Sequence, residues 1–367
     1  MSLDAVSRRI ARAQELMAER DLDYLFVAPS SDMIYMFDGP SHASERLALV
    51  MIPREGKPQV VVPQLEYSRF ADKAEIAHIH TWPETAQPVE LVAELLSGIE
   101  RPRVAVSDKM WSVFLVRMLE AIPDATWSSG TPIIRELRMV KDESEIEKLR
   151  VAAAAADRAW DEFATTASII GKTEREAAMM LTELRRKHGL DVTGIGICAS
   201  GPNGANPHHS TGDRILQEGD AVVFDFGGTI DGYHADVTRT VYLGEPTDEY
   251  RKVYEIVLRA NRVALGEFRL GNACQDVDRA ARKVITDAGY GEYFIHRVGH
   301  GLGLDGHEEP YLVEGNDLPL QVGMVFSDEP GIYLPGKFGI RVEDAVVVRE
   351  NGGELLNHCN RELTAMS

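Results

Sequence analysis

"AVVFDFGGTIDGYHADVTRTVYL" spans residues 221 to 243. Two β-rich runs flank a Gly- and Asp-containing centre, which predicts a hairpin. Alternation along a strand places Val223 and Asp225 on one face of the first run, and His234, Asp236, Thr238 and Thr240 on one face of the second. A hairpin centred between Ile230 and Asp231 sets Asp225 directly opposite Asp236. Like charges so opposed have Cβ atoms about 5 Å apart and destabilise the pair. The register is unfavourable unless a cation sits between them.

A second segment repeats the arrangement. "FSDEPGIYLPGKFGIRVEDAVVV" covers residues 326 to 348, with Pro335-Gly336-Lys337 at its turn. Centred on Gly336, it brings Glu329 opposite Glu343. Pro330 cannot donate to a ladder, so a bulge or strand edge is expected beside Glu329. Two opposed carboxylate pairs can hold two divalent ions about 3.5–4 Å apart. "HRVGHGLGLDGHEEP", residues 296 to 310, offers an imidazole from His296, His300 or His307 to complete the shell. His300 is the choice, because it lies among Gly299, Gly301 and Gly303, which would let the backbone approach the ions. Oxygen-rich ligation favours Mn²⁺, and one imidazole also admits Co²⁺, Zn²⁺ or Fe²⁺.

The rest of the chain bounds the answer. Its 367 residues suggest two domains, each long enough for a core. A net charge of −19 argues against nucleic acid and anionic membrane surfaces as partners. The charged, amphipathic start does not read as a signal peptide, and no stretch is apolar enough for a membrane span. Cys198, Cys274 and Cys359 are scattered and in no CxxC, so a reduced, cytoplasmic interior is expected.

Val6, Ile10, Ala13 and Met17 recur at helical spacing, which predicts an opening helix over 4–20. "YLFVAP", "LALVMIP", "PQVVVP" and "RVAVS" read as strands, followed by the helical "WSVFLVRMLEAI" and a short strand near Ala125. This alternation predicts a small α/β domain over 1–135, without a phosphate-binding loop. Residues 136–144 form the expected linker, and Asp142 or Ser144 can cap the helix that opens the domain at 145–367. That domain carries a weak internal repeat. "RAWDEF…GKTEREAAMMLTELRRKHG" matches "RVALGEF…GNACQDVDRAARKVITDAG", aligning Gly171 and Gly189 with Gly271 and Gly289. Two similar α+β halves follow, with a site between them.

At these residues the chain resembles the pita-bread metallopeptidases, the group of methionine aminopeptidase, aminopeptidase P, prolidase and the metal-free creatinase. The similarity is to the prolidase and aminopeptidase P branch and covers nearly the whole chain. It implies an α+β fold: a C-terminal pita-bread domain of two similar halves, preceded by a smaller creatinase-type α/β domain. It implies two divalent metal ions held by Asp225, Asp236, His300, Glu329 and Glu343. All five are present, unlike in creatinase. "SGPNGANPHHSTGDR" resembles the loop that carries a catalytic histidine, which falls on His208 with His209 as its alternative. His307 resembles a second site histidine that contacts substrate, and His296 resembles pocket lining. His234, His188, His42 and His358 are expected to be surface or otherwise satisfied residues.

The implied reaction is hydrolysis of the Xaa-Pro bond of a short peptide by hydroxide bridging two metals, with Glu329 as general base and His208 and His307 as polar partners of the reacting carbonyl. A dipeptide substrate is favoured over the longer peptides of aminopeptidase P. Arg341 is expected either to form a core ion pair or to reach a substrate carboxylate. The similarity also implies a homodimer, with "GPSHASERL" as the segment reaching across. Competing classes are a hydrolase of another small amide of the ectoine type, a binding module on a retained fold, and a structural cation site without turnover.

Overall fold

The computed structural model describes residues 3–366. The chain divides into a unit ending at Arg138 and a unit beginning at Met139.

The first unit opens with α1 (Leu3–Glu19), which buries Val6, Ile10, Ala13, Leu16 and Met17 along one stripe. There follow β1 (Tyr24–Val27), α2 (Ser31–Phe37), β2 (Leu49–Pro53), β3 (Gln59–Pro63) and β4 (His78–Trp82). α3 (Pro88–Leu96), β5 (Arg103–Val106), α4 (Ser112–Ala121), β6 (Thr126–Ser129) and α5 (Thr131–Arg138) complete it. The six strands form one mixed sheet in the order β4-β3-β2-β1-β5-β6. β1 and β2 are apolar and buried along their whole length, as strands covered on both faces must be. α2, β4, α3 and α5 are additions to the elements expected from the sequence, and α5 runs past residue 135.

The second unit opens with α6 (Glu143–Thr166). The Asp142 carboxylate accepts from the Glu145 N–H, and the Glu145 side chain accepts from the Asp142 N–H. This reciprocal cap leaves Ser144 to donate to Asp142. α7 (Glu174–Lys187), β7 (Ile197–Ser200), β8 (Ala221–Ile230) and β9 (Tyr233–Leu243) follow. The pattern then recurs as α8 (Asp248–Leu265), α9 (Cys274–Asp287), β10 (Gly299–Gly301), β11 (Glu308–Leu312) and β12 (Val325–Asp328). β13 (Gly331–Leu334), β14 (Phe338–Arg341), β15 (Asp344–Arg349), β16 (Gly352–Leu355) and β17 (Thr364–Met366) end the chain. One sheet has the order β17-β9-β8-β7, another β11-β10-β12-β15-β16, and β13 pairs with β14 as a two-stranded ribbon.

The internal repeat is visible in the backbone. Gly171 and Gly189 have φ of 85° and 97°, and their counterparts Gly271 and Gly289 have 87° and 86°. Each helix pair is therefore turned and terminated in the same left-handed conformation. Each half also has its own core. Trp160, Phe163, Phe224 and Phe226 pack ring against ring in the first, and Tyr250, Val257, Phe268 and Phe326 are buried in the second. Each such side chain contributes about 1.5–3 kcal/mol by leaving water. Among the described residues no helix is long and apolar enough to cross a membrane.

The first hairpin is corrected in its register. Asp225 pairs with Thr238 and Asp236 with Gly227, because the turn falls at Asp231-Gly232, one residue later than expected. Both turn residues have positive φ, 51° and 81°, the Asp-Gly combination that a two-residue hairpin turn requires. Asp225 and Asp236 are consequently diagonal neighbours on one face, about 7–8 Å apart along the backbone with their Cβ atoms somewhat closer, rather than in direct opposition. The diagonal eases the repulsion and leaves room between the carboxylates. The second hairpin keeps its register about Gly336. β13 and β14 pair Gly331 with Arg341, and β12 and β15 pair Asp328 with Asp344. Glu329 and Glu343 lie at the break between these two ladders, beside Pro330.

Candidate metal centre

Each acidic group owes its position to a different strand. Asp225 comes from the middle of β8 and Asp236 from β9. Glu343 bridges to β9 through its backbone opposite Thr238, and Glu329 follows β12. His300 is the central residue of β10. These segments are distant in the chain, yet their ligand atoms converge. One oxygen each of Asp225, Asp236 and Glu343 lie within 4.8 Å of one another. His300, Glu329 and Glu343 form a second such group, and Asp236, His300 and His307 a third. A cavity of about 480 Å³ is lined by all five expected ligands together with His208, His296, His307 and Arg341.

Supporting contacts hold the donors in orientation. His300 is buried and donates from Nδ1 to the Gly301 carbonyl at 3.1 Å. Its Nε2 then faces Glu329 Oε1 at 3.2 Å and Asp236 Oδ2 at 3.7 Å. The Thr238 hydroxyl donates to Glu343 at 2.6 Å, and Ser327 donates to Glu329 at 3.2 Å. Arg341 is buried and donates to Asp225 at 2.7 Å, to Thr238 at 3.1 Å and to the Tyr333 hydroxyl at 3.0 Å. Of its two expected roles, the structure shows the core ion pair. Arg239 secures the Glu343 backbone from below, donating to the Glu343 carbonyl at 2.6 Å and to the buried Asp344 carboxylate at 2.6 Å.

The electrostatics show what the donor set lacks. Burial raises the Asp236 carboxyl above its ordinary value, and the nearby Asp225 raises it further. Glu343 is raised well above the carboxylate range by burial and by Asp236 and Glu329. Glu329 moves the other way: burial opposes ionisation, but the hydrogen bond and charge of His300 outweigh it. Asp236 and Glu343 are held toward their protonated forms even with Arg341 and His300 nearby, as crowded carboxylates are. Divalent cations would remove that penalty, and four carboxylates with one imidazole are the oxygen-rich set that such ions take. The residues fit a two-ion centre.

The histidines separate by role. His208 lines the cavity, whereas His209 turns away and pairs through Nε2 with Glu174 at 2.8 Å. His307 stacks on His300 with ring centroids 3.7 Å apart. Desolvation, and then the neighbouring His300, push its pKa down to about 4, so it is neutral at pH 7. His296 donates from Nδ1 to the Arg297 carbonyl at 2.7 Å and accepts at Nε2 from Tyr333 at 2.8 Å, which engages both ring nitrogens.

Two features were not anticipated. Gly299, Gly301 and Gly303 are also required by close packing around β10. A Cβ on Gly299 would stand 2.0 Å from the Ser327 carbonyl, and one on Gly301 or Gly303 would meet Glu308 at 2.6 or 2.7 Å. The second is Glu174, the fully buried first residue of α7. It accepts from Ser200 N–H at 2.8 Å, Ser200 Oγ at 2.7 Å, Asn203 at 2.9 Å, His209 at 2.8 Å and Gly212 N–H at 3.2 Å. One carboxylate thus folds the whole loop that presents His208. Its only sequence signal is an acidic residue after a capping threonine, which reads as an ordinary helix start.

Strands from two similar halves, converging on four carboxylates and an imidazole, define a metal-dependent hydrolase. The chain belongs to metallopeptidase family M24: the model "Metallopeptidase family M24" matches residues 147–350, and "Creatinase/Prolidase N-terminal domain" matches residues 9–140. The second unit therefore has the pita-bread fold and the first the creatinase-type fold. A "Probable dipeptidase PepE" of Mycobacterium bovis is 40% identical over 98% of this chain and 96% of its own length. A "Xaa-Pro dipeptidase" of Lactobacillus delbrueckii subsp. lactis is 34% identical over 97% and 98%. The crystal structure of a prolidase from Thermococcus sibiricus superposes with a TM-score of 0.93 at 37% identity, covering 100% of both chains.

Proposed function

We propose that this chain hydrolyses the Xaa-Pro bond of short peptides, dipeptides first, at a centre of two divalent ions, Mn²⁺ in preference. The observation that carries the reading is the convergence of Asp225, Asp236, His300, Glu329 and Glu343 on one cavity that also holds His208 and His307. The names of the two relatives and of the superposed prolidase support the substrate class. When bound, the ions supply Lewis acidity that makes hydroxide available near neutral pH and polarises the scissile carbonyl.

Every other step belongs to side chains. Asp225, Asp236, His300, Glu329 and Glu343 would hold the ions, with Glu343 common to the group of Asp225 and Asp236 and the group of His300 and Glu329. Glu329, kept ionised by His300, accepts the proton of the attacking water. His307 is neutral at pH 7 and so can donate a hydrogen bond to the carbonyl oxygen without carrying charge into the site, and His208 approaches from the loop held by Glu174. The leaving proline nitrogen has no N–H in the substrate and must gain a proton, which Glu329 returns. The test is hydrolysis of Ala-Pro beside Ala-Pro-Ala by Mn²⁺-supplemented protein. Cleavage of Ala-Pro with loss on chelation supports the reading. Indifference to metal, or cleavage only of amides without proline, refutes it.

A further inference from the structure

His307 has to meet the reacting carbonyl, yet among the described residues its ring is held by stacking on His300 and by no hydrogen bond. Gly303 and Gly306 precede it, so its place depends on how the loop between β10 and β11 is anchored. The anchor is the next residue. Glu308 is buried, opens β11 and pairs with Gly301 of β10. Its Oε1 accepts from Lys141 Nζ at 2.6 Å, and its Oε2 accepts from the Asp305 N–H at 3.3 Å. Successive side chains of an extended chain face opposite ways, so a Glu308 held inward leaves His307 toward the cavity that it lines.

Lys141 lies 167 residues before Glu308, in the short segment that leads into α6. Its backbone is fixed on both sides. Val140 bridges to Met324, the Lys141 N–H donates to the Gly323 carbonyl at 2.9 Å, and Asp142 caps α6. A lysine stem is flexible, but this one starts from a pinned base and ends in a sealed pocket. The Lys141 side chain is 2% exposed and that of Glu308 7%, so the pair meets out of water. Stability alone does not call for charge there: two apolar side chains of similar volume generally serve a buried position as well. A fixed charge pair does supply a defined point, one residue from His307, in a loop that glycines would otherwise leave loose. Resting on the peptidase reading above, we infer that Lys141 is a positioning residue: through Glu308 it holds the loop that sets His307 over His300, and so aims the His307 N–H at the scissile carbonyl.

The experiment compares the wild type, Lys141→Met and Lys141→Met/Glu308→Met by metal content, thermal unfolding, and kcat and KM on Ala-Pro. Lys141→Met leaves the buried Glu308 carboxylate without the Lys141 cation and is expected to melt lower. The double variant removes both charges and is expected to recover the melting temperature. Both are expected to bind metal as the wild type does. Both should lose roughly 10- to 100-fold in kcat with KM within about threefold, as for a misplaced group that acts in the transition state. Histidine-ring NMR of the metal-free proteins gives a readout apart from activity. The His307 ring signal, assigned with His307→Gln, is displaced in the wild type by the face of His300 and is expected to move toward its unstacked position in both variants. Recovery of kcat together with the melting temperature in the double variant, a loss confined to KM, or an unmoved His307 signal overturns the inference. Where Lys141→Met does not fold, the double variant decides. A wild type inactive on Ala-Pro would sink the Xaa-Pro reading alone, and the His307 signal would still decide whether Lys141 holds the ring.

Discussion

Replacing Glu174 by Gln separates the support of the site from its chemistry. The change keeps shape and volume but turns one of two accepting oxygens into an amide. Oε1 takes three donors, from Ser200 N–H, Ser200 Oγ and Asn203, while Oε2 takes two, from His209 and Gly212. The least costly placement keeps the carbonyl oxygen on the three donors and sets the amide NH₂ against the other two. His209 can change tautomer and accept, but the Gly212 N–H cannot, and every remaining bond loses its charged acceptor. Hydrogen bonds to charged groups contribute about 1.5–3 kcal/mol each, so a net loss of about 2–4 kcal/mol is expected. The pH dependence has a definite sign. Burial alone would raise the Glu174 carboxyl, but the bonds from Ser200, Asn203 and His209 hold it below its ordinary 4.5. A depressed carboxyl contributes stability that is present above the unfolded value and lost as pH falls through the lower folded value. Urea unfolding at pH 7 should therefore show the full gap between wild type and Glu174→Gln, and the gap should narrow as pH falls below the ordinary carboxyl value of 4.5. Peptidase activity should fall with metal content unchanged. A variant within about 0.5 kcal/mol of wild type, or a gap that does not narrow as pH falls below 4.5, would refute the reasoning.

Other outcomes follow from the same geometry. His208→Ala should retain metal and lose about 10²–10⁴-fold in kcat, the usual range for a removed proton-transfer or donor group. His209→Ala should instead lose stability, seen as a lower melting temperature, because it strips a partner from buried Glu174. Gly232→Val should destabilise the β8–β9 hairpin by about 1–2 kcal/mol, since φ of 81° is strained for a β-branched side chain. Denaturant titration checks the last, and an unchanged midpoint would contradict the assigned turn.

The convergence of the carboxylates was legible in part because hairpins impose arithmetic on spacing. The Gly336-centred register placed Glu329 against Glu343 without any tertiary information, and the period of two put each carboxylate on a defined face. The β8–β9 register differs by a single turn position, since centring the hairpin between Ile230 and Asp231 overlooks the Asp231-Gly232 pair that tolerates positive φ. The repeat was legible through Gly171, Gly189, Gly271 and Gly289, whose backbone conformation admits few other residues. Glu174 was not legible. It carries no local pattern: its meaning comes from the segment of residues 200–212 that packs on it. The choice between His208 and His209 was hidden for the same reason, because adjacent residues in a loop differ only in what they face.

Anomalous diffraction from crystals grown with Mn²⁺ tests the central claim most directly. Two peaks are expected, flanked by Asp225, Asp236, His300, Glu329 and Glu343, and Asp236→Asn should reduce their occupancy. A cavity without anomalous signal at saturating Mn²⁺, or ions bound away from those five side chains, would contradict it.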